Sequence, residues 1–80
     1  MLYQSELELP RDVRDVLPNG ALEMYRRTYN QTWRVTRASN ERDRDLAAHA
    51  AAWRRVKKAY TKNMDGEWVS RNAVAHLDDF

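Results

Sequence analysis

Large side chains recur at three- and four-residue steps in two long stretches of this chain, a spacing that belongs to amphipathic helices. In the first stretch Ala21, Met24, Tyr25, Thr28, Tyr29, Thr32 and Trp33 fall along one stripe. In the second, Leu46, His49, Ala52, Trp53, Val56 and Tyr60 do the same. The chain has 80 residues and no cysteine, so it holds one core with no disulfide or thiolate metal site behind it. Fully burying one aromatic side chain contributes on the order of 4–6 kcal/mol, at about 25 cal/mol per Å². Aromatic anchors therefore carry much of the stability. Ten alanines and the lack of isoleucine also favour helix over sheet.

The helix boundaries follow from capping and from proline. Pro10 suits a first turn, because its missing N–H has no partner there. Leu9, Val13, Val16 and Leu17 then predict a short helix of about two turns, which Pro18 ends. Asn19 is a cap for the second helix, expected to run to about Arg37. Ser39 and Asn40 are cap candidates for the third, and Glu41, Asp43 and Asp45 suit the positive end of its dipole. Asn63 to Gly66 break that helix, Glu67-Trp68-Val69 reads as a very short strand, and Ser70 is placed to cap a last turn through Ala73, Val74 and Leu77. Residues 1–8 show no helical period and read as a loose arm. The expected core comprises Leu9, Leu17, Tyr25, Tyr29, Trp33, Trp53, Val56 and Tyr60, in a mainly all-α domain.

Little in the chain is arranged for catalysis. His49 and His76 lie on different segments without ligand spacing, and His49 reads as a packed histidine on the face of Trp53 and Val56. Ser5, Ser39 and Ser70 have no elbow motif, and Gly20 and Gly66 are too far apart for a phosphate loop. Asn63, Asp65 and Glu67 alternate oxygen ligands around a glycine, but that glycine comes fourth and the twelfth residue is Val74, so a plain turn is the better reading than an EF-hand. No enzyme, cofactor, metal or small-molecule substrate is expected. The N-terminus has no basic segment followed by an apolar run, and no stretch approaches the roughly 20 apolar residues of a membrane span. A cytoplasmic protein that meets membranes only through a partner is the expectation.

The net charge of +2 conceals a pattern: residues 1–23 carry −3, residues 24–62 carry +8 and residues 63–80 carry −3. Arg54, Arg55, Lys58 and Lys62 are expected to project together from the third helix near Arg44, with Arg26, Arg27 and Arg34 on the second. The plain reading is a solvated face. The functional reading is an anion-binding surface for nucleic acid, acidic protein or lipid headgroups. Tyr25, Tyr29, Trp33 and Trp53 interleave with it, but their helical spacing assigns them to the core rather than to base stacking.

Leu9-Pro10, Val13, Leu17-Pro18, Ala21, Tyr25, Asn30, Trp33, Ala52-Trp53, Val56-Lys57, Tyr60, Lys62, Gly66 and Trp68 together resemble the ChaB family pattern, over about residues 7–69. The resemblance implies a compact domain of three helices with a very small sheet, spanning 9–69, behind a flexible arm (1–8) and followed by an extension (70–80). It implies a small regulator or adaptor of cation transport, through a calcium or sodium/proton antiporter, docking on a transporter's cytoplasmic face or another acidic protein surface. DNA binding is attributed to some members, so a largely sequence-independent DNA or RNA-binding module is the alternative. No catalytic residue carries over. Lys57 and Lys62 are the motif positions expected to meet a partner.

Overall fold

The computed structural model describes residues 2–37 and 39–71. The expected last turn through Ala73, Val74 and Leu77 lies outside them, as does His76. Three helices, α1 (Arg11–Arg14), α2 (Asn19–Val35) and α3 (Glu41–Ala59), precede a two-stranded antiparallel sheet, β1 (Tyr60–Lys62) and β2 (Trp68–Ser70). The mainly helical architecture with a very small sheet is thus the one the sequence implied.

Helices α2 and α3 pack on each other through the stripes read above, with small residues on one side and large ones on the other. Ala48, Ala52 and Val56 of α3 are fully buried, and Tyr25 and Tyr29 of α2 fill the space that the alanines leave. Leu9, Val13 and Leu17, four residues apart, close the same core from the N-terminal side. Trp33, Trp53 and Tyr60, expected inside, are instead half-buried against it. A tryptophan is too large to be enclosed between two helices whose interface is built on alanine. Leu46 departs further: it is 59% exposed, because the buried stripe of α3 runs through Ala48, Ala52 and Val56 and Leu46 lies about 120° round the helix from Ala52.

Local chemistry explains the boundaries. Helix α1 is one turn, shorter than expected, with Pro10 as its cap and the Pro10 carbonyl accepting from the amides of Val13 and Arg14. Pro18, not Asn19, stands at the N-cap of α2, and Asn19 begins the helix without a side-chain cap. Asn40 caps α3 as read, its side chain accepting from the Asp43 amide at 2.9 Å. Helix α3 ends at Ala59, short of the Lys62 expected: the chain turns extended at Tyr60, so Tyr60 and Lys62 belong to β1 and Lys62 does not project from the helix with Arg54, Arg55 and Lys58. In the following turn Asn63 Oδ1 accepts from the amides of Asp65 and Glu67, while Gly66 takes the positive φ of 81° that glycine tolerates. The register pairs Lys62 with Trp68 and Tyr60 with Ser70, one residue later than the strand read at Glu67–Val69.

The first eight residues, read without structure, contain a 3-10 turn at Glu6–Glu8 and a docked tyrosine. The buried Asn30 side chain accepts from the Tyr3 amide at 2.9 Å and donates to the Tyr3 carbonyl at 2.7 Å, laying the Tyr3 ring 4.6 Å from that of Tyr29. Asn30→Ala removes both bonds and should cost about 1–3 kcal/mol. Denaturant melts should register that loss, and the Tyr3 amide should become the first to lose protection from hydrogen exchange.

Candidate partner-binding site

Between α2 and α3 runs a chain of polar groups that invites a chemical reading. The Tyr25 hydroxyl bonds His49 Nδ1, His49 Nε2 faces Asp45 Oδ1 at 3.4 Å, and the Tyr29 hydroxyl donates to the same carboxylate oxygen. With Nε2–H turned to the carboxylate, Nδ1 accepts and Tyr25 donates. Burial pushes both phenols well above the ordinary tyrosine value of 10.0, and the Asp45 carboxylate raises Tyr29 further. Neither supplies an oxygen nucleophile near neutrality, and the His49 ring is packed among Tyr3, Tyr25 and Tyr29. These groups satisfy one another and lock the two helices.

A surface site lies one ring further out. Trp53 stands edge-on to Tyr25, with centroids 5.3 Å apart, and Trp68 follows at 5.9 Å from Trp53. The two tryptophans wall an open cleft of about 610 Å³ lined also by Ala50, Arg54 and Lys57. Positions 50, 53, 54 and 57 share one flank of α3 by helical spacing, and the hairpin brings Trp68 against them. The Lys62 ammonium lies over the Trp68 ring, 5.7 Å from its centroid, and Arg71 Nε donates to the Lys57 carbonyl at 2.8 Å, tying the end of β2 to the last turns of α3. Trp53 also borders a smaller concavity with Pro10, Val13 and Leu46, and Trp68 another with Val16, Leu17 and Pro18. Asp12 stands at the first, Asp15 and Glu67 at the second.

The basic side chains read as one face divide between several places. Arg54 and Lys57 meet at the tryptophan cleft, and Lys58 is exposed beside them. Arg55 turns to the α2 side, lining a groove with Gly20, Arg27 and Thr28, where Arg27 is paired with Glu23 at 2.6 Å. Arg26 pairs with Glu6 at 3.2 Å, and Arg34 is exposed near the end of α2. Arg44, read as part of the exposed face, packs its guanidinium over Trp33 and donates to the Trp33 carbonyl at 2.7 Å. The sequence reading missed Ala50 and Arg71 as parts of the site and gave Trp68 as a strand residue and a family-pattern position, not as a wall of a cleft. Ala50 was findable, three residues before Trp53 on the same flank; the Arg71 contact crosses the hairpin and leaves no local signal. Among the described residues no three histidine, cysteine or acidic side chains gather as a metal site, and no helix is long and apolar enough to cross a membrane.

The half-buried tryptophans, the Asn30 clamp and the Gly66 turn all sit at positions of the ChaB pattern, and the model of that family matches residues 9–71. The chain belongs to the ChaB family. It is 33% identical over 76 residues to the proteins named "putative cation transport regulator ChaB" in Escherichia coli K12 and Shigella flexneri, an alignment spanning 90% of this chain and 100% of theirs. The solution NMR structure of a protein bearing the same name superposes with a TM-score of 0.72 at 30% identity, covering 85% of this chain and 96% of that one. The ChaB relatives are thus named as regulators, not as enzymes.

Two measurements check these assignments. Tyr25→Ala should cost about 3–5 kcal/mol, whereas Trp53→Ala, with one face already in solvent, should cost no more than about half as much; equal losses in denaturant melts would return Trp53 to the enclosed core. The raised phenols also set an alkaline limit. Below about pH 10 folded and unfolded tyrosines are both protonated and the contribution is intact. Above it the unfolded chain releases protons that the folded chain keeps, so stability declines as pH climbs toward the folded-state values. Melting temperatures followed from pH 8 to 12 should fall less steeply in Tyr25→Phe than in the parent.

Proposed function

We propose that this ChaB-family chain is a non-catalytic regulator of cation transport that acts by docking on an acidic protein surface through the outer flank of α3. The observation that carries the reading is the joint exposure of Arg54 and Lys57 around an open tryptophan cleft. Exposed cations beside an unfilled aromatic surface suit a partner that supplies both carboxylates and apolar contact. The names of the relatives support the regulatory role, and the self-satisfied tyrosine–histidine–aspartate chain supports the lack of catalysis. A transporter's cytoplasmic face is the partner proposed, with calcium or sodium/proton antiport as the regulated activity.

Nucleic acid fits this flank less well. A polyphosphate backbone needs a continuous basic track, and here the basic side chains are split between grooves, with Asp12, Asp15 and Glu67 around the same tryptophans.

The test compares cation efflux in cells lacking the chain, cells with the parent and cells with Arg54→Gln/Lys57→Gln/Lys58→Gln. Loss of the chain should alter calcium- or sodium-coupled proton exchange, and the folded triple variant should behave like the loss. Unchanged exchange in both would refute the regulatory reading. Tight, salt-sensitive binding of duplex DNA, with a log–log slope near −3.6 for about four phosphate contacts, would transfer the basic flank to the alternative.

A further inference from the structure

The cleft has more character than an acidic partner requires, and that surplus names what the partner presents. Three concavities meet at two side chains: Trp53 is shared by the cleft and the Leu46 concavity, Trp68 by the cleft and the Val16 concavity. Leu46 at 59% and Val16 at 48% are among the large apolar residues left in solvent, and they flank the tryptophans on either side. An apolar strip so continuous in a chain whose core is this small is a surface kept open for contact. From Leu46 to Lys57 the helix rises roughly 16 Å at 1.5 Å per residue, the length of about three turns of a partner helix. Charge is one-sided along the strip. Arg54 and Lys57 border it on α3, and Asp12 of α1, Asp15 at the end of that helix and Glu67 of the turn lie across it.

Resting on the docking reading above, we infer that the Trp53–Trp68 cleft receives a short amphipathic segment of a partner protein, with an aromatic or leucine anchor between the tryptophans and carboxylates directed to Arg54 and Lys57. Helix-in-groove recognition of this kind uses anchors at i, i+3 or i+4 and i+7. Aromatic contact with Trp53 and Trp68 supplies affinity, since enclosed aromatic anchors dominate such interfaces. The two cations set orientation, because the segment reversed would place its carboxylates against Asp12 and Asp15. Arg71 is a positioning residue, holding β2 to the Lys57 carbonyl so that Trp68 stays opposite Trp53.

The probe is a set of synthetic 14-residue helical peptides, about four turns each by the 3.6-residue period, titrated calorimetrically into the full chain. One carries glutamates along one flank and a tryptophan and two leucines at i, i+4 and i+7; a second has serine at the anchors; a third has lysine for glutamate. The first should bind at least about thirtyfold more tightly than either of the others, moving the indole N–H signals of Trp53 and Trp68 in NMR spectra. Ala50→Trp fills the cleft from an exposed helix position, and Ala50→Glu places a negative charge on its floor; both should retain the parent's helical circular dichroism and melting behaviour and lose the first peptide. Equal binding of the serine peptide, binding untouched by both Ala50 variants, or no binding of the first peptide at millimolar concentration each overturns the inference. A single-stranded oligothymidylate that displaces the peptide and binds more tightly than it would also overturn it. Failure of the two readings is separable. Should Ala50→Trp leave transport regulated while the charge-neutralised triple variant does not, the docking reading stands and the anchored segment falls. Should the peptides bind as expected while transport ignores every variant, the cleft stands and the regulatory role falls.

Discussion

Everything in this domain is registered by the way two tyrosines of α2 meet α3. The Tyr25 and Tyr29 rings fill the space over Ala48 and Ala52, and their hydroxyls end on His49 and Asp45. Sliding the helices by one turn would leave two buried hydroxyls without partners, at about 1–3 kcal/mol each, on a domain with little stability in reserve. Apolar packing alone, with alanine repeated at 47, 48, 50, 51 and 52, would tolerate several registers. The hydroxyl contacts select one, and they hold the half-buried His49 and Asp45 at the edge of the interface.

That register then decides what the outer flank of α3 carries. With Ala48, Ala52 and Val56 inward, Trp53 lies at the edge of the interface, where Tyr25 supports one side of its indole and solvent has the other. The second wall comes from a distant part of the sequence. The hairpin turn at Asn63–Gly66 folds β2 back along β1, and the strand register puts Trp68 beside Lys62 and against Trp53. A ring buried in the core, a ring half out and a ring on a hairpin form one continuous series, so the shape of the surface is tied to the packing beneath it. Gly20 joins the same arrangement, since a Cβ there would meet the Tyr60 hydroxyl where β1 begins.

The helices, the Asn40 cap and the Asn63–Gly66 turn were legible because each depends on residues within one or two turns of one another. The stripe assignments for Tyr25, Tyr29 and Val56 held for the same reason. Leu46 did not, because the buried stripe is centred on Ala48, Ala52 and Val56, and Leu46 lies about 120° round the helix from Ala52, on the flank that Trp53 shares. The depth of Trp33 and Trp53 was overestimated for a related cause: the stripe gives direction, whereas the thickness of an alanine-based interface limits how much of an indole fits. The docking of Tyr3 on Asn30 joins residues 27 positions apart, and the division of the basic face depends on which arginines find Glu6, Glu23 or Trp33. Neither is visible in local spacing. Asn30 stood in the family pattern without a physical reason until its two bonds to the Tyr3 backbone supplied one.

The placing of the indoles makes the chain optically asymmetric. Two of its three tryptophans, Trp53 and Trp68, share one cleft, while Trp33 stacks on Tyr29 beneath the Arg44 guanidinium near the opposite end of the helix pair. Emission excited in the indole band is therefore weighted toward the cleft, and Trp33 serves as an internal reference fixed to the fold. A change in colour or quenching that spares the Trp33 component reads occupancy of the cleft, and one that includes it reads loss of the helix pair, with no dye attached.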